Sequence, residues 1–154
     1  MTLTADSERA QEALGARLAR ACPEACSIWL QGDLGTGKTT LVRGFLRGLG
    51  HQGPVKSPTY TLIEPYRLAH RSCYHLDLYR LGDPEELEYL GLRDLLGESC
   101  ILLVEWPERG AGWLPEPDLR ISIAYAAPGR CLTLSSGSPL GARVLEQFRA
   151  LDSM

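Results

Sequence analysis

The chain has 154 residues, 44% hydrophobic and 23% charged, with a formal net charge of −3. That length suits one domain with its own core (residues 1–154) and leaves little room for a second. The slightly acidic balance, without any run of Lys or Arg, offers no electrostatic footprint for direct capture of nucleic acid.

Met1 to Ala10 is polar, with no basic start ahead of an apolar stretch, so no secretory signal is expected. The longest strongly aliphatic run, Ile101 to Val104, is far short of the roughly 20 apolar residues of a membrane span. The cysteines (Cys22, Cys26, Cys73, Cys100, Cys131) are odd in number and lack C-x-x-C or zinc spacing, which predicts reduced thiols in a cytoplasmic protein.

In chain order, Asp6 or Ser7 can cap a first helix with apolar residues at Ala10, Leu14, Leu18 and Ala21, stopped by Pro23. Ser27 to Leu30 predicts a short strand, followed at once by the glycine-rich segment from Gly32 to Gly37. Leu41, Val42, Phe45, Leu46 and Leu49 then form one helical stripe, and Gly50 ends that helix. Thr59 to Tyr66 and Cys73 to Tyr79 read as strands. Asp83, Pro84, Glu85 and Glu86 make a helix start, predicting a helix to about Leu96. Cys100 to Val104 is continuously apolar, as in a strand buried on both faces of a parallel sheet. Leu119, Ile121, Ile123 and Tyr125 alternate with polar or small residues, and a turn at Pro128 and Gly129 leads into Cys131 to Leu134, an antiparallel hairpin. A closing helix covers Leu140 to Leu151. The class is α/β, a P-loop NTPase-like mixed sheet with flanking helices and a C-terminal β-hairpin.

The glycine-rich segment (Gly32, Asp33, Leu34, Gly35, Thr36, Gly37, Lys38, Thr39) fits G-x-x-x-x-G-K-[ST] at every fixed position. Its glycines let the backbone curl so that successive N–H groups face phosphate oxygens, and the helix beginning near Lys38 adds its positive end. The pattern calls for a Mg²⁺-bound nucleotide, ATP, held by Asp33 to Thr40: Lys38 reaches the β- and γ-phosphates and the Thr39 hydroxyl is a Mg²⁺ ligand. No N/T-K-x-D triplet is present to read guanine.

Hydrolysis also needs a carboxylate to orient water or hold the metal. Glu105, directly after the aliphatic strand, and Asp77, in His75-Leu76-Asp77-Leu78-Tyr79, are the candidates. In an extended segment His75, Asp77 and Tyr79 share one face. Asp77 pairing with Arg80, or Glu105 simply solvated, are the bland alternatives, and His75 reads as a packed structural residue. Trp106 is core or pocket wall, and Arg130, on the hairpin turn, is within range of the nucleotide.

Gly32 to Thr40, Ser57-Pro58-Thr59-Tyr60, His75 to Leu81 and Val104 to Arg109 together resemble the bacterial TsaE family, from the first helix to the C-terminal hairpin, with no departure at the motif positions. The resemblance implies an ATPase of the tRNA threonylcarbamoyladenosine (t⁶A) pathway, slow on its own. Its partners would be TsaB and TsaD, which transfer a threonylcarbamoyl group to adenosine 37 of tRNAs reading codons that begin with A. It further implies Thr39 and Glu105 as Mg²⁺ ligands, Asp77 as the residue needed for hydrolysis, and Ser57 to Tyr60 as a switch-like segment. The tRNA would be held by TsaB and TsaD. The rival reading is a small-molecule kinase on the same loop, with Arg67, Arg71 and Arg80 available for a lid, though no stretch reads clearly as one. A third reading is a nucleotide-gated binding module.

Overall fold

In the computed structural model, which describes residues 1–58, 60–68 and 71–152, the chain opens with a strand, β1 (Thr2–Ala5), that sequence reading missed. Four residues are too few to show a period; β1 is defined by the partner strand it borders. Ser7 then caps α1 (Glu8–Ala21), its side chain accepting from the Ala10 N–H at 3.1 Å. The buried stripe of α1 is Gln11, Gly15, Leu18 and Ala19, rotated from the predicted one, with Ala10, Leu14 and Ala21 only partly buried.

The rotation follows from how α1 meets the helix after the glycine loop. β2 (Cys26–Gln31) leads into the loop, and α2 (Lys38–Gly48) leaves it. A Cβ on Gly44 would stand 2.6 Å from the Glu12 Cα, and one on Gly15 would stand 2.8 Å from the Phe45 backbone N. The two backbones touch at glycines, so Gly15 and Ala19 face inward beside Leu18 while Leu14 lies to the side.

β3 (Ile63–Leu68) and β4 (Arg71–Asp77) pair antiparallel. The predicted strand beginning at Thr59 starts later, after a turn at 60–62, and Thr59 itself lies outside the described residues. The second predicted strand ends two residues early: the Asp77 carboxylate accepts from the Tyr79 N–H at 3.1 Å and turns the chain, so Tyr79 leaves the strand face shared by His75 and Asp77.

The long helix expected from Asp83 to Leu96 is two short ones, α3 (Glu86–Tyr89) and α4 (Leu92–Leu96). Gly91, with φ 79°, adopts the left-handed conformation between them and breaks the ladder. The expected start at Asp83 falls early, because α3 begins at Glu86 with Glu85 at its N-cap; Asp83 shapes the turn before it, its carboxylate accepting from the Glu85 N–H at 2.9 Å while Glu86 accepts from the Asp83 N–H at 3.2 Å.

β5 (Ile101–Glu105) is buried along its whole length. β6 (Leu119–Ala126) and β7 (Gly129–Ser136) form the expected hairpin, and α5 (Pro139–Asp152) closes the chain. The sheet order is β1-β7-β6-β2-β5-β4-β3, with a parallel centre (β6, β2, β5, β4) and antiparallel edges. α1, α2 and α5 cover one face through Leu18, Leu41, Phe45 and Phe148 against Ile28, Ile101 and Leu103. Leu76, Leu78, Leu87, Leu92, Leu102 and Val104 fill the other. Alternate residues of β5 thus enter different cores, which is why its sequence shows no polar alternation. The consequence for function lies in register. β2, β5 and β4 end together, with Leu30 opposite Glu105 and Asp77 opposite Glu105, so the glycine loop and both carboxylates meet at one edge.

Candidate functional site

The loop between β2 and α2 takes its shape from glycines. Gly35 (φ 80°) and Gly37 (φ 97°) adopt left-handed backbone conformations that other residues avoid. Side chains on Gly35 and Gly37 would also strike the Tyr125 hydroxyl and the Gln11 amide. The Thr36 hydroxyl, in a residue almost wholly buried, donates to the Asp33 carbonyl at 2.8 Å and ties the curl internally.

Two neighbours brace it from outside. Gln11 of α1 donates from Nε2 to the Thr36 and Gly37 carbonyls at 3.1 and 2.8 Å. From the hairpin, the Tyr125 hydroxyl donates to the Leu34 carbonyl at 2.7 Å and Arg130 donates to the Gly35 carbonyl at 3.3 Å. All four of these bonds engage carbonyls and so take up none of the loop's N–H groups, of which Thr36 donates to the Asp33 carbonyl at 3.3 Å.

Lys38, 5% exposed, begins α2 and folds back over the loop, donating to the Gly32 and Asp33 carbonyls at 2.6 and 3.0 Å. Its ammonium lies 4.5 Å from the centre of the Trp106 ring, so Trp106 is cleft wall as well as packing for the neighbouring core. Burial pushes the Lys38 ammonium below its ordinary value, while Glu105 and Asp77 pull it back up.

The Thr39 hydroxyl meets Glu105, with oxygen separations of 3.2 Å to Oε1 and 3.0 Å to Oε2. His75, entirely buried, brings Nε2 to 2.6 Å from Glu105 Oε2. Glu105 is therefore not solvated; it is 3% exposed and held from two sides. Asp77, 9% exposed, turns to its own chain through the Tyr79 N–H and makes no ion pair with Arg80, which lies 4.9 Å over the exposed ring of Tyr60. Burial raises the Asp77 carboxyl above its usual value, and Glu105 adds to the rise.

These groups line a single cleft of about 480 Å³, whose lining also includes Glu8, Gln11, Ser57, Arg80, Trp106 and Arg130. Of the predicted site residues, Gly35, Thr36, Gly37, Lys38, Thr39, Thr40, Asp77 and Glu105 line it. Leu34 lines it too although its side chain is mostly exposed, and Asp33 contributes its carbonyl to Lys38. Gln11, Tyr125 and the His75–Glu105 contact went unassigned in the sequence. A signal existed for Gln11, the one polar residue on the inward stripe of α1. None existed for Tyr125, whose alternation in β6 looks like that of any strand.

Among the described residues no group of three or more His, Cys, Asp or Glu side chains could hold a metal alone. Thr39 and Glu105 nevertheless form an oxygen donor pair of the kind a hard cation takes when phosphate oxygens and water supply the rest.

A parallel strand running into a glycine loop at the amino end of a helix, with carboxylates at the tips of the next two strands, defines a P-loop protein. Superposition agrees: the crystal structure of Bacillus subtilis YdiB matches with TM-score 0.85 and 27% identity, covering 99% of this chain and 95% of that one. The chain belongs to the TsaE family, described as threonylcarbamoyl adenosine biosynthesis protein TsaE, which it matches over residues 5–131. It is 51% identical over 125 residues to the tRNA threonylcarbamoyladenosine biosynthesis protein TsaE of Haemophilus influenzae, covering 81% of this chain and 79% of that one. The Treponema pallidum protein of the same name is 36% identical over 115 residues, covering 75% and 84%.

Proposed function

We propose that this protein is a Mg²⁺-dependent ATPase that acts with TsaB and TsaD in the t⁶A modification of adenosine 37 in tRNAs reading codons that begin with A. The observation that carries the reading is the convergence of Lys38, Thr39, Asp77 and Glu105 on one glycine loop in one cleft, in a chain of the TsaE family.

The loop amides and the α2 terminus cradle the phosphates of ATP between Asp33 and Thr40. Lys38, whose donors now satisfy the Gly32 and Asp33 carbonyls, turns them to β- and γ-phosphate oxygens. Thr39 and Glu105 would hold Mg²⁺, which offsets charge on the β- and γ-phosphates when bound. Asp77 is left to orient the attacking water: Glu105 is committed to Thr39 and His75, whereas Asp77 accepts only the Tyr79 amide among the described contacts. Burial raises the pKa of the Asp77 carboxyl, which makes it a stronger base than a free carboxylate.

With net charge −3 and no basic run, the chain itself is poorly suited to grip tRNA, so the tRNA is held by TsaB and TsaD and met indirectly. No helix among the described residues is long and apolar enough to cross a membrane, and we place the protein in the cytoplasm beside its substrates. Phosphate release from ATP without any acceptor tests the ATPase reading. Steady release supports it; almost no release, with ADP and a phosphorylated product formed only when a small-molecule acceptor is added, would make the protein a kinase.

A further inference from the structure

Glu105 is fixed by a residue that the proposed mechanism does not use. His75 lies on β4, on the same face as Asp77 and one step below the Asp77–Glu105 register pair. Its side chain is fully buried, and Nε2 stands 2.6 Å from Glu105 Oε2. A carboxylate can only accept, so Nε2 carries the proton. The other ring nitrogen, Nδ1, is buried without a hydrogen-bond partner among the described residues.

That asymmetry separates two roles. A histidine kept for the stability of the sheet would satisfy both nitrogens, because an orphaned buried polar atom destabilises the fold. Here the ring leaves Nδ1 unsatisfied, and its one bond goes to the carboxylate that also meets Thr39. With Oε2 held by the imidazole, both carboxylate oxygens come within 3.2 Å of the Thr39 hydroxyl.

We infer that His75 is the positioning residue for Glu105. Its Nε2–H fixes the rotation of the carboxylate so that Glu105 and Thr39 present their oxygens to one cation. The inference rests on the reading of Thr39 and Glu105 as the Mg²⁺ side of the cleft. His75 touches neither nucleotide nor metal and acts through Glu105, as an outer-shell donor does for a ligating carboxylate.

The test compares His75→Gln, whose amide can donate from nearly the position of Nε2, with His75→Leu, which fills space but cannot donate. His75→Asn, too short to reach Oε2, replaces the leucine variant if that fails to fold. For the full-length chain, binding of a non-hydrolysable ATP analogue is measured across a range of Mg²⁺ concentrations. In wild type, Mg²⁺ tightens binding. In His75→Leu or His75→Asn, analogue affinity without Mg²⁺ stays within about twofold, while the Mg²⁺ needed for half-maximal tightening rises about 10- to 100-fold. ATP turnover in these variants falls in kcat with KM little changed, and His75→Gln recovers most of both losses. An unchanged Mg²⁺ requirement in His75→Leu or His75→Asn overturns the inference, as does a His75→Gln variant as defective as they are. Analogue binding indifferent to Mg²⁺ in wild type would overturn the metal reading itself, and this inference with it.

Discussion

Asp77 and Glu105 stand opposite each other in register, yet the structure treats them differently. Glu105 has two side-chain partners, and Asp77 has a backbone amide and a raised pKa caused first by burial and then by Glu105. A folded-state pKa above the unfolded one means that the folded chain holds the proton more tightly. Ionised Asp77 therefore destabilises the fold, and the penalty grows as pH rises from the unfolded value, near 3.9, through the raised one. Asp77→Asn should melt higher than wild type at pH 7.5, with the gap closing as pH falls below the ordinary carboxylate range. It should also bind ATP while losing turnover. Thermal melts across pH check the first expectation; a variant less stable than wild type at pH 7.5 contradicts it. Lys38→Ala should abolish tight nucleotide binding, measured by titration calorimetry, because the cleft loses its innermost cation. The candidate carboxylates were legible in the sequence because each follows or sits in an apolar strand. Their division of labour was not, since it depends on His75 and Thr39 approaching from other elements.

The α1–α2 contact is where element packing sets the site. Gly44 gives the Glu12 backbone room that no side chain would leave, and this approach places Gln11 against the loop. Gly44→Ala should cost about 1–3 kcal/mol by overpacking, read from denaturant unfolding. Gln11→Ala takes the side-chain donor from the Thr36 carbonyl and leaves the Gly37 carbonyl with the Leu41 N–H alone, a loss of about 1–3 kcal/mol. Part of that loss should appear as nucleotide affinity weakened about tenfold; unchanged affinity would mean the loop needs no brace from α1. The elements with strong local signals were readable: the Ser7 cap, the glycine loop, the apolar β5 and the hairpin. Those decided by distant partners were not. β1 exists because β7 offers an edge, α1 is rotated because glycines of two helices meet, and a single left-handed Gly91 divides the helix expected after Asp83.

At the scale of the whole molecule, a seven-stranded mixed sheet brings the glycine loop and two strand tips to one edge. The class of fold was legible because strand, loop and helix are consecutive in sequence, so their relation needs no long-range contact. The cleft's walls were less so: Trp106, Tyr125 and Arg130 come to the loop from chain segments about 70 to 95 residues away. The opposite core, packed by Leu87 and Leu92 of the broken helix against Leu102 and Val104, supports β5 from behind and holds Glu105 at depth. In the proposed function this cleft hydrolyses ATP in the service of TsaB and TsaD. The most direct test measures phosphate release from ATP by the purified protein alone, with TsaB and TsaD, and with Asp77→Asn in place of wild type. A slow basal rate that rises with the pair and vanishes in the variant is the predicted result. A rate indifferent to the pair, or undiminished in Asp77→Asn, would contradict it.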